Sequence, residues 1–402
     1  MKPLKLMHRR NKVWSHIIVG AGAAGCVLAA RLSENTDTNV LLIEAGGSGR
    51  FDPMLKVPMM TALLLGGRRH VWQYETEPEA GLAGRKVGLP RGRVLGGSTA
   101  INGMVYVRGL AQDYDFWAQD GLPEWSWDKV QPYFMKSEAF DGLGSLKHHG
   151  YDGPLTVSRR NKPVSPLVDA FVQAGLAAGH PRCEDFNGAD PEGFGYYHFT
   201  IRNGRRESTA TSFLAGAINR PNLTILTNAE VSRIIFNGKR ASAVELIKRG
   251  KAETLVALKE IVLCGGAIGS PAILMRSGVG AASELMALGI KPVTDRPGVG
   301  KNLHDHVLVR VCHEAPTKFT LHGLTRVDRA AVAFLQAWIL GKGPMTVFPL
   351  EAGAYLRGPG ADLPNIQSHF LPALSSATVR FNPFKTLSNS GSGFMANASL
   401  MR

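Results

Sequence analysis

The sequence has no apolar run long enough to form a membrane-spanning helix. Such a helix needs about 20 consecutive apolar residues, and no stretch of the chain comes close to that length. The apolar stretch at residues 17–20, which follows a basic N-terminus, is too short for the core of a secretory signal peptide. These absences predict a cytoplasmic protein without a transmembrane segment, and peripheral association with a membrane stays open.

Cysteine is scarce, with only Cys26, Cys183, Cys264 and Cys312 in 402 residues. No two of them form a C-x-x-C pair, and their spacing fits neither a zinc site nor a disulfide framework. We therefore expect reduced, partly buried thiols, which suits the cytoplasm. We also expect no metal, because spacing supplies no third ligand to His304 and His306.

Acidic residues are fewer than basic ones, 32 against 46, which gives a net charge of +14. The basic residues are scattered as pairs, such as Arg159-Arg160 and Arg205-Arg206, and never form a long run. No aromatic-rich nucleic-acid module accompanies them. The pattern favours a solvated surface that helps to bind an anionic cofactor, and it argues against a nucleic-acid partner.

The first glycine-rich loop lies between an apolar stretch at residues 13–19 and a helical pattern at residues 26–32. Its glycines, Gly20, Gly22 and Gly25, have the G-x-G-x-x-G spacing of a dinucleotide site. The first allows a tight turn, the second lets the backbone approach a diphosphate, and the third permits close helix–strand packing. The N-terminus of the helix then offers N–H groups and a positive dipole to the phosphates.

Glu44 ends the next predicted strand, residues 39–43, and lies 19 residues beyond Gly25. At that distance an acid accepts hydrogen bonds from ribose hydroxyls, and it disfavours a 2′-phosphate and hence NADP. The motif alone leaves both NAD and FAD open.

The second glycine-rich loop, residues 91–109, contains the adjacent glycines Gly96 and Gly97, then small hydroxyl residues and an apolar run. Adjacent glycines let a backbone approach a ligand closely. This stretch resembles the glucose–methanol–choline (GMC) oxidoreductases, as do residues 44–47, 72–78, 265–280 and 297–306. Within that family, the choline dehydrogenases and similar bacterial alcohol dehydrogenases are matched at residues 187–188, 192–195, 204–210 and 351–354.

The resemblance implies non-covalent FAD, because Ile101 stands where some relatives have a histidine that attaches the flavin. Gly20, Gly22, Gly25 and Glu44 would hold the ADP half, and Val231 would contact the adenine through its backbone. Gly97, Asn102, Gly103, Met104 and Val105 would lie on the flavin side. The complete set of expected cofactor-binding residues is Gly20, Gly22, Ala23, Ala24, Gly25, Glu44, Ala45, Leu95, Gly97, Ser98, Asn102, Gly103, Met104, Val105 and Val231.

The fold class predicted is mixed α/β, with a Rossmann-like FAD-binding domain and a substrate domain built on an antiparallel sheet. We expect a discontinuous FAD-binding domain at residues 1–158 and 221–310, and an incomplete substrate domain at residues 159–220 and 311–402. Asn237-Gly238 predicts a hairpin within a β-meander, and residues 330–340 predict a helix ended by Gly341 and Gly343.

Two further sites invite a functional reading. Glu351 is a candidate for the substrate pocket, where an anion could face a cationic alcohol such as choline, although a purely structural acid is an equal alternative. His148 and His149 precede Gly150 and predict an exposed loop rather than a catalytic pair.

The family implies oxidation of a primary, choline-like alcohol to the aldehyde, with hydride transfer to FAD. The family's catalytic histidine lies in a C-terminal segment that this sequence lacks, so we assign no catalytic residue. We expect a truncated chain that retains flavin weakly and turns over little by itself. Alternatives are a non-catalytic FAD-binding remnant and a cyanohydrin lyase on the same scaffold, while the second loop disfavours an NAD-dependent dehydrogenase. The electron acceptor stays open.

Overall fold

The computed structural model describes residues 13–142, 147–160, 162–314, 319–373 and 393–400. The chain divides into two compact units. The first unit comprises Met1–Arg50, Arg69–Ala100 and Thr209–His304, and the second comprises Phe51–Arg68, Ile101–Ser208 and Asp305–Arg402. The predicted mixed α/β class is confirmed. Residues 374–392, which the sequence assigned to the substrate domain, lie outside the described residues.

The strands are numbered in chain order as β1 Trp14–Val19, β2 Val40–Ile43, β3 Val71–Glu75, β4 Gly88–Gly92, β5 Val105–Tyr106, β6 Glu138–Asp141, β7 Leu155–Ser158, β8 Arg182–Cys183, β9 Gly193–Tyr196, β10 His198–Phe199, β11 Ile201–Arg202, β12 Arg205–Arg206, β13 Leu223–Leu226, β14 Glu230–Asn237, β15 Arg240–Lys248, β16 Lys251–Leu263, β17 Val279–Gly280, β18 Thr294–Asp295, β19 Val307–Glu314, β20 Ala352–Leu356, β21 Ile366–Leu371 and β22 Gly393–Leu400.

The helices are α1 Ala23–Leu32, α2 Thr61–Gly66, α3 Ala111–Gln119, α4 Trp127–Ser137, α5 Pro166–Ala177, α6 Ala215–Ala217, α7 Gly266–Arg276, α8 Ala282–Ala287 and α9 Val327–Leu335. Two of them adjoin a π-helical turn: Ala210–Leu214 leads into α6, and Gln336–Leu340 extends α9. The helix predicted at residues 330–340 is thus confirmed, and it ends at Gly341, whose φ is +63°.

The first unit contains a six-stranded sheet in the order β13-β2-β1-β16-β15-β14. The four strands β13, β2, β1 and β16 pair in parallel. Their apolar residues alternate between the two faces, as strand geometry requires. On one face, Ile17, Leu41 and Val244 pack with Ile273 of α7. On the other, Ile18 and Leu42 pack with helix α1, so helices cover both sides of the sheet.

The meander predicted around Asn237-Gly238 is confirmed as the antiparallel strands β14, β15 and β16. Gly238 has a φ of +59°, which the tight turn requires. The 13 residues of β16 form one continuous strand. Its first half pairs with β15 and its second half pairs in parallel with β1, so the meander feeds directly into the parallel sheet.

The second unit contains a six-stranded sheet in the order β19-β22-β21-β20-β9-β8 and a four-stranded sheet in the order β5-β10-β7-β6. The larger sheet is antiparallel apart from its β8–β9 pair. Helix α5 packs on this sheet through Val168 and Val172, which contact Ala352 and Phe370 in a shared core.

Strand β19 at the edge of the larger sheet carries exposed apolar side chains on both of its faces. Val307, Leu308, Val309 and Val311 are 64, 45, 61 and 51% exposed. Among the described residues, no helix is both long and apolar enough to cross a membrane.

Candidate cofactor site

The first glycine-rich loop of the first unit is the turn from β1 into α1. Gly20 has a φ of +100°, and a Cβ there would lie 2.4 Å from the carbonyl oxygen of Cys264. A Cβ on Gly25 would lie 1.9 Å from the carbonyl oxygen of Gly20. Both contacts are far too short for carbon, so the packing of the turn against β16 and α1 demands glycine at both positions.

Gly22 is different, because nothing inside the protein crowds it. A Cβ on this residue would lie 3.9 Å from its nearest neighbour, the carbonyl oxygen of Cys264, and its φ of −80° suits any residue. The fold therefore gives no steric reason for glycine here. Close approach of a ligand to this backbone would supply one.

The N-terminus of α1 is open to an anion. The helix begins one turn earlier than the sequence predicted, because the carbonyl of Gly22 accepts the N–H of Cys26 at 3.1 Å and makes Gly22 the N-cap. No side chain caps this end, and its first turn carries no acidic residue. Ala23 and Ala24 are exposed. The first N–H groups of a helix have no partner within it, so they face an open region of positive potential.

Glu44 lies beside the same turn and is only 6% exposed. Its carboxylate accepts the N–H of Ala21 at 3.0 Å and that of Gly46 at 2.9 Å. Burial raises the pKa of this carboxyl above its ordinary value, while the two N–H bonds and the nearby Arg93 act in the opposite direction. Ala45 is half-buried beside it.

The second glycine-rich loop packs directly on the first. The N–H of Gly96 donates to the carbonyl of Ala21 at 2.8 Å, and the N–H of Leu95 donates to Gly47 at 3.1 Å. A Cβ on Gly97 would lie 2.7 Å from the Cα of Gly22. The exposed Ser98 accepts the N–H of Gly92 at 3.1 Å through its hydroxyl.

Two threonines that sequence reasoning missed bind the loops together. The hydroxyl of Thr99 accepts the N–H of Thr209 at 3.1 Å, and the hydroxyl of Thr209 lies 3.3 Å from the carbonyl of Gly22. Thr209 belongs to the stretch at residues 204–210 that carried part of the family likeness. That likeness was the signal available in the sequence, but it assigned the residue no role.

Val231 is buried near the start of β14, and the N–H of Ala229 donates to the carbonyl of Glu44 at 3.0 Å. The first unit thus brings the following predicted residues into one set of contacting turns and strand ends: Gly20, Gly22, Ala23, Ala24, Gly25, Glu44, Ala45, Leu95, Gly97, Ser98 and Val231. Their role toward a cofactor stays a prediction.

The remaining predicted cofactor residues lie in the second unit, in a loop at residues 101–105 that we call the 101–105 loop. The exposed Asn102 accepts the N–H of Met104 through its side chain at 3.1 Å. Met104 is buried and has a φ of +61°, a conformation that non-glycine residues rarely adopt. A Cβ on Gly103 would meet the ring of Phe348 at 3.0 Å, and Val105 begins β5.

Glu351, the candidate for the substrate pocket, is buried in the second unit and 5% exposed. One carboxylate oxygen accepts the N–H of Val164 at 2.8 Å. Burial raises the pKa of Glu351 to about 7, against the opposing effects of that hydrogen bond and of Arg160. Its charge therefore changes within the physiological pH range.

The expectation of an exposed loop at His148-His149 was wrong for His149, which is 1% exposed. Its ring nitrogens lie 2.9 Å from a carboxylate oxygen of Glu138 and 2.8 Å from one of Asp185. Burial alone would lower the pKa of His149, but hydrogen bonds to Asp185 and Glu138 outweigh it and raise the pKa. These partners are distant in sequence, so the local pattern did not reveal them.

His304 and His306, the residues with metal-like spacing, are exposed. Within the described part of the chain, no three His, Cys, Asp or Glu side chains gather in a metal-binding arrangement. The thiols are free, with Cys26 and Cys183 buried and Cys312 exposed.

The chain is similar to known proteins over most of its length. A family model described as GMC oxidoreductase matches residues 14–308. Oxygen-dependent choline dehydrogenase of Paraburkholderia phytofirmans is 43% identical over 393 residues, which cover 97% of this chain and 69% of that protein. The protein of the same name from Pseudomonas aeruginosa is also 43% identical, over 98% of this chain and 70% of its own length.

Solved structures give similar relationships. Pyridoxine 4-oxidase from Mesorbium loti superposes with a TM-score of 0.83 at 35% identity, over 96% of this chain and 71% of its own. A formate oxidase superposes with a TM-score of 0.88 at 25% identity, over 98% of this chain and 73% of its own.

Proposed function

Because the chain belongs to the GMC oxidoreductase family of FAD-dependent alcohol oxidoreductases, we propose that it acts on the CH–OH group of a choline-like primary alcohol. Oxidation to the aldehyde removes a carbon-bound hydrogen as a hydride, which a bound FAD would accept, and the hydroxyl proton, which a base would take. The curated relatives are named for choline.

The observation that carries the cofactor assignment is the empty space at Gly22. Packing explains Gly20 and Gly25, whereas the close approach of a ligand explains why the residue between them has no side chain. The uncapped start of α1 beside it suits a diphosphate, because its N–H groups and dipole attract anions. The residues present therefore fit the ADP half of FAD.

In this proposal, the N-terminus of α1, Glu44, Thr99 and Thr209 of the first unit each have a defined role. The N-terminus of α1 binds the diphosphate, and Glu44 is directed at the ribose by its bonds to Ala21 and Gly46. Thr99 and Thr209 keep the second loop against the first. In the second unit, Asn102, Gly103, Met104 and Val105 contact the flavin side of the cofactor. A bound FAD supplies the hydride acceptor.

Glu351 supports a cationic alcohol as substrate. A buried carboxylate attracts a quaternary ammonium strongly, because the low local dielectric strengthens their interaction. Since the pKa of Glu351 is about 7, its negative charge forms as the pH rises through neutrality. We therefore expect choline to bind more tightly at pH 8 than at pH 6.

The test uses the purified full chain loaded with FAD. Flavin absorbance is followed without oxygen while choline is added. The reduction of the flavin is then measured by itself, whichever electron acceptor the protein uses. We expect choline to bleach the flavin slowly, in keeping with the low turnover expected of this chain by itself, and to do so at lower concentration at pH 8 than at pH 6. Wild-type protein that binds FAD but is never bleached by choline would contradict the substrate, and protein that binds no FAD would contradict the cofactor.

The role of Glu351 is tested by Glu351→Gln, which keeps an acceptor for the N–H of Val164 but removes the charge. We expect choline to bleach the variant at least about tenfold less effectively, a loss of ~1.4 kcal/mol. The neutral isostere 3,3-dimethylbutan-1-ol should act equally on both proteins. Glu124→Gln, at an exposed surface position, is the matched control. Equal loss with both alcohols would indicate a structural acid instead.

A further inference from the structure

Arg206, on β12 of the second unit, is a buried arginine without an acidic partner. It is 5% exposed, and its guanidinium donates to the carbonyl and side-chain oxygens of Asn102 and to the hydroxyl of Thr61. Within the described residues, no carboxylate pairs with it, and its Nε has no hydrogen-bond partner. Burial alone lowers the pKa of Arg206, to about 9.

Arg108 shows how the same unit treats another buried arginine. Its guanidinium lies 2.6 Å from the carboxylate of Glu138, and both side chains are almost fully enclosed. A buried charge with a partner recovers much of its desolvation cost, whereas an unpaired one does not. The positive charge of Arg206 is therefore retained at a cost that its three neutral acceptors only partly offset.

The partners of Arg206 converge on one segment. The hydroxyl of Thr61 donates to the carbonyl of Asn102 at 3.0 Å, so two side chains hold the same carbonyl. The side chain of Asn102 in turn accepts the N–H of Met104 and supports its positive φ. Loss of Arg206 would thus release the 101–105 loop, which holds a conformation that costs of order 1 kcal/mol or more.

We propose that Arg206 is a positioning residue that fixes the 101–105 loop, and that its buried positive charge favours the reduced form of the flavin beside that loop. The inference rests on the proposed function, because the 101–105 loop contains the residues assigned to the flavin side. Uptake of a hydride adds one net negative charge to a flavin. A cation in a low-dielectric interior stabilises that added charge more than it would in water.

The experiment measures the two-electron reduction equilibrium of the bound FAD against a reference dye in four FAD-loaded proteins. Arg206→Met removes the charge at similar length, and Arg206→Lys keeps the charge but lacks the planar fork. Arg205→Met is the matched control, because Arg205 lies on the same strand but is exposed and bonds the carbonyls of Trp338 and Ile339.

We expect Arg206→Met to lower the reduction equilibrium constant at least about tenfold, which is ~30 mV for two electrons. Arg206→Lys and Arg205→Met should stay within about threefold of wild type. A tenfold fall in the reduction equilibrium constant in both position-206 variants, or in neither, would overturn the role of the charge.

Should Arg206→Met fail to fold, Arg206→Gln takes its place, and the same tenfold criterion applies. The outcomes are distinguishable from a failure of the proposed function. If wild-type protein holds no FAD, the proposed function fails first. If wild-type protein holds FAD and the uncharged variants keep its potential, only the role of Arg206 fails.

Discussion

At the scale of single residues, the three glycines of the first loop face different surroundings. A Cβ atom on Gly20 or Gly25 would overlap backbone atoms, whereas a Cβ atom on Gly22 would have free space. Two of the motif's glycines thus serve the fold, and one is available to serve a ligand. Substitution by alanine should separate these roles.

We expect Gly22→Ala to keep the melting temperature of the flavin-free chain and to weaken FAD binding at least about tenfold, ~1.4 kcal/mol. Gly25→Ala should instead destabilise the fold by more than about 4 kcal/mol, because its Cβ would overlap the carbonyl oxygen of Gly20. Thermal unfolding and FAD titration by fluorescence quenching measure both effects.

Gly216→Ala is the control for the glycine series, since Gly216 is exposed on α6 and has nothing near its Cβ position. It should change neither measurement. Unaltered FAD binding in Gly22→Ala would exclude close contact between a cofactor and this turn.

The sequence was sufficient to predict these glycines because their motif is local and each spacing has one physical meaning. It was insufficient for Thr99 and Thr209, which meet across 110 positions of the chain. Arg206 illustrates the same limit, because its partners Thr61 and Asn102 are 145 and 104 positions away. Contacts of this kind follow from the folded topology and leave no periodic trace.

At the scale of elements, the buried His149 connects the first residue of β6 to the loop that follows β8. Glu138 begins β6, and Asp185 follows β8. His149 contacts both carboxylates, Arg108 pairs with Glu138, and His198 lies 3.9 Å from Asp185. The ring of Phe140 stacks on His149 at 3.6 Å. The result is a row of buried ionisable side chains that joins the elements of the second unit.

The raised pKa of His149 sets the sign of a pH dependence. An imidazole with a higher pKa in the folded state stabilises the fold fully below its unfolded pKa of about 6.5, and this contribution is lost as the pH rises through the folded value. We expect the melting temperature of wild-type protein to fall as the pH rises from neutrality. The curve of His149→Gln should be flatter over that range.

His149→Gln should also lower stability by about 3–5 kcal/mol at pH 6, since it leaves two buried carboxylates with fewer partners. His148→Gln is the matched control, because His148 is the preceding residue and its side chain is only half-buried. Scanning fluorimetry from pH 6 to 9 measures all three proteins. Parallel curves for wild type and His149→Gln would rule out a protonated His149 at neutral pH.

Sequence patterns predicted the elements more successfully than their pairing. The hairpin at Asn237-Gly238, the helix at α9 and the strand–turn–helix at Gly20 are all confirmed, because turn residues and apolar periodicity act locally. The length of β16 was not foreseen, since its first half is a meander strand and its second half belongs to the parallel sheet. Only the tertiary pairing makes these halves one strand.

At the scale of the whole molecule, net charge and exposed apolar surface have opposite effects on solubility. The net charge of +14 favours solubility through mutual repulsion. Strand β19 acts in the other direction, because it lies at the edge of the sheet formed by the described strands and its apolar side chains are 45–64% exposed. Exposed apolar edge strands are preferred places for unwanted association.

We expect the double variant Val309→Lys with Val311→Lys to reduce binding of the dye ANS and light scattering at high concentration. Both side chains share one face of β19 and are 61 and 51% exposed, so lysine should be accommodated there. Val256→Lys, at a 57% exposed position on β16, is the control and should change little. Equal reductions in the control and the double variant would mean that added charge alone, and not β19, explains the effect.

The free space at Gly22 has a consequence for how damage at this position would be noticed. A cell removes proteins that unfold, so substitutions at Gly20 or Gly25 should lower the amount of protein. A substitution at Gly22 should not trigger this removal, because the chain still folds. It should leave a stable, abundant chain without its cofactor. In a mutational scan that records abundance and flavin content separately, the two readouts should diverge at position 22 and fall together at positions 20 and 25.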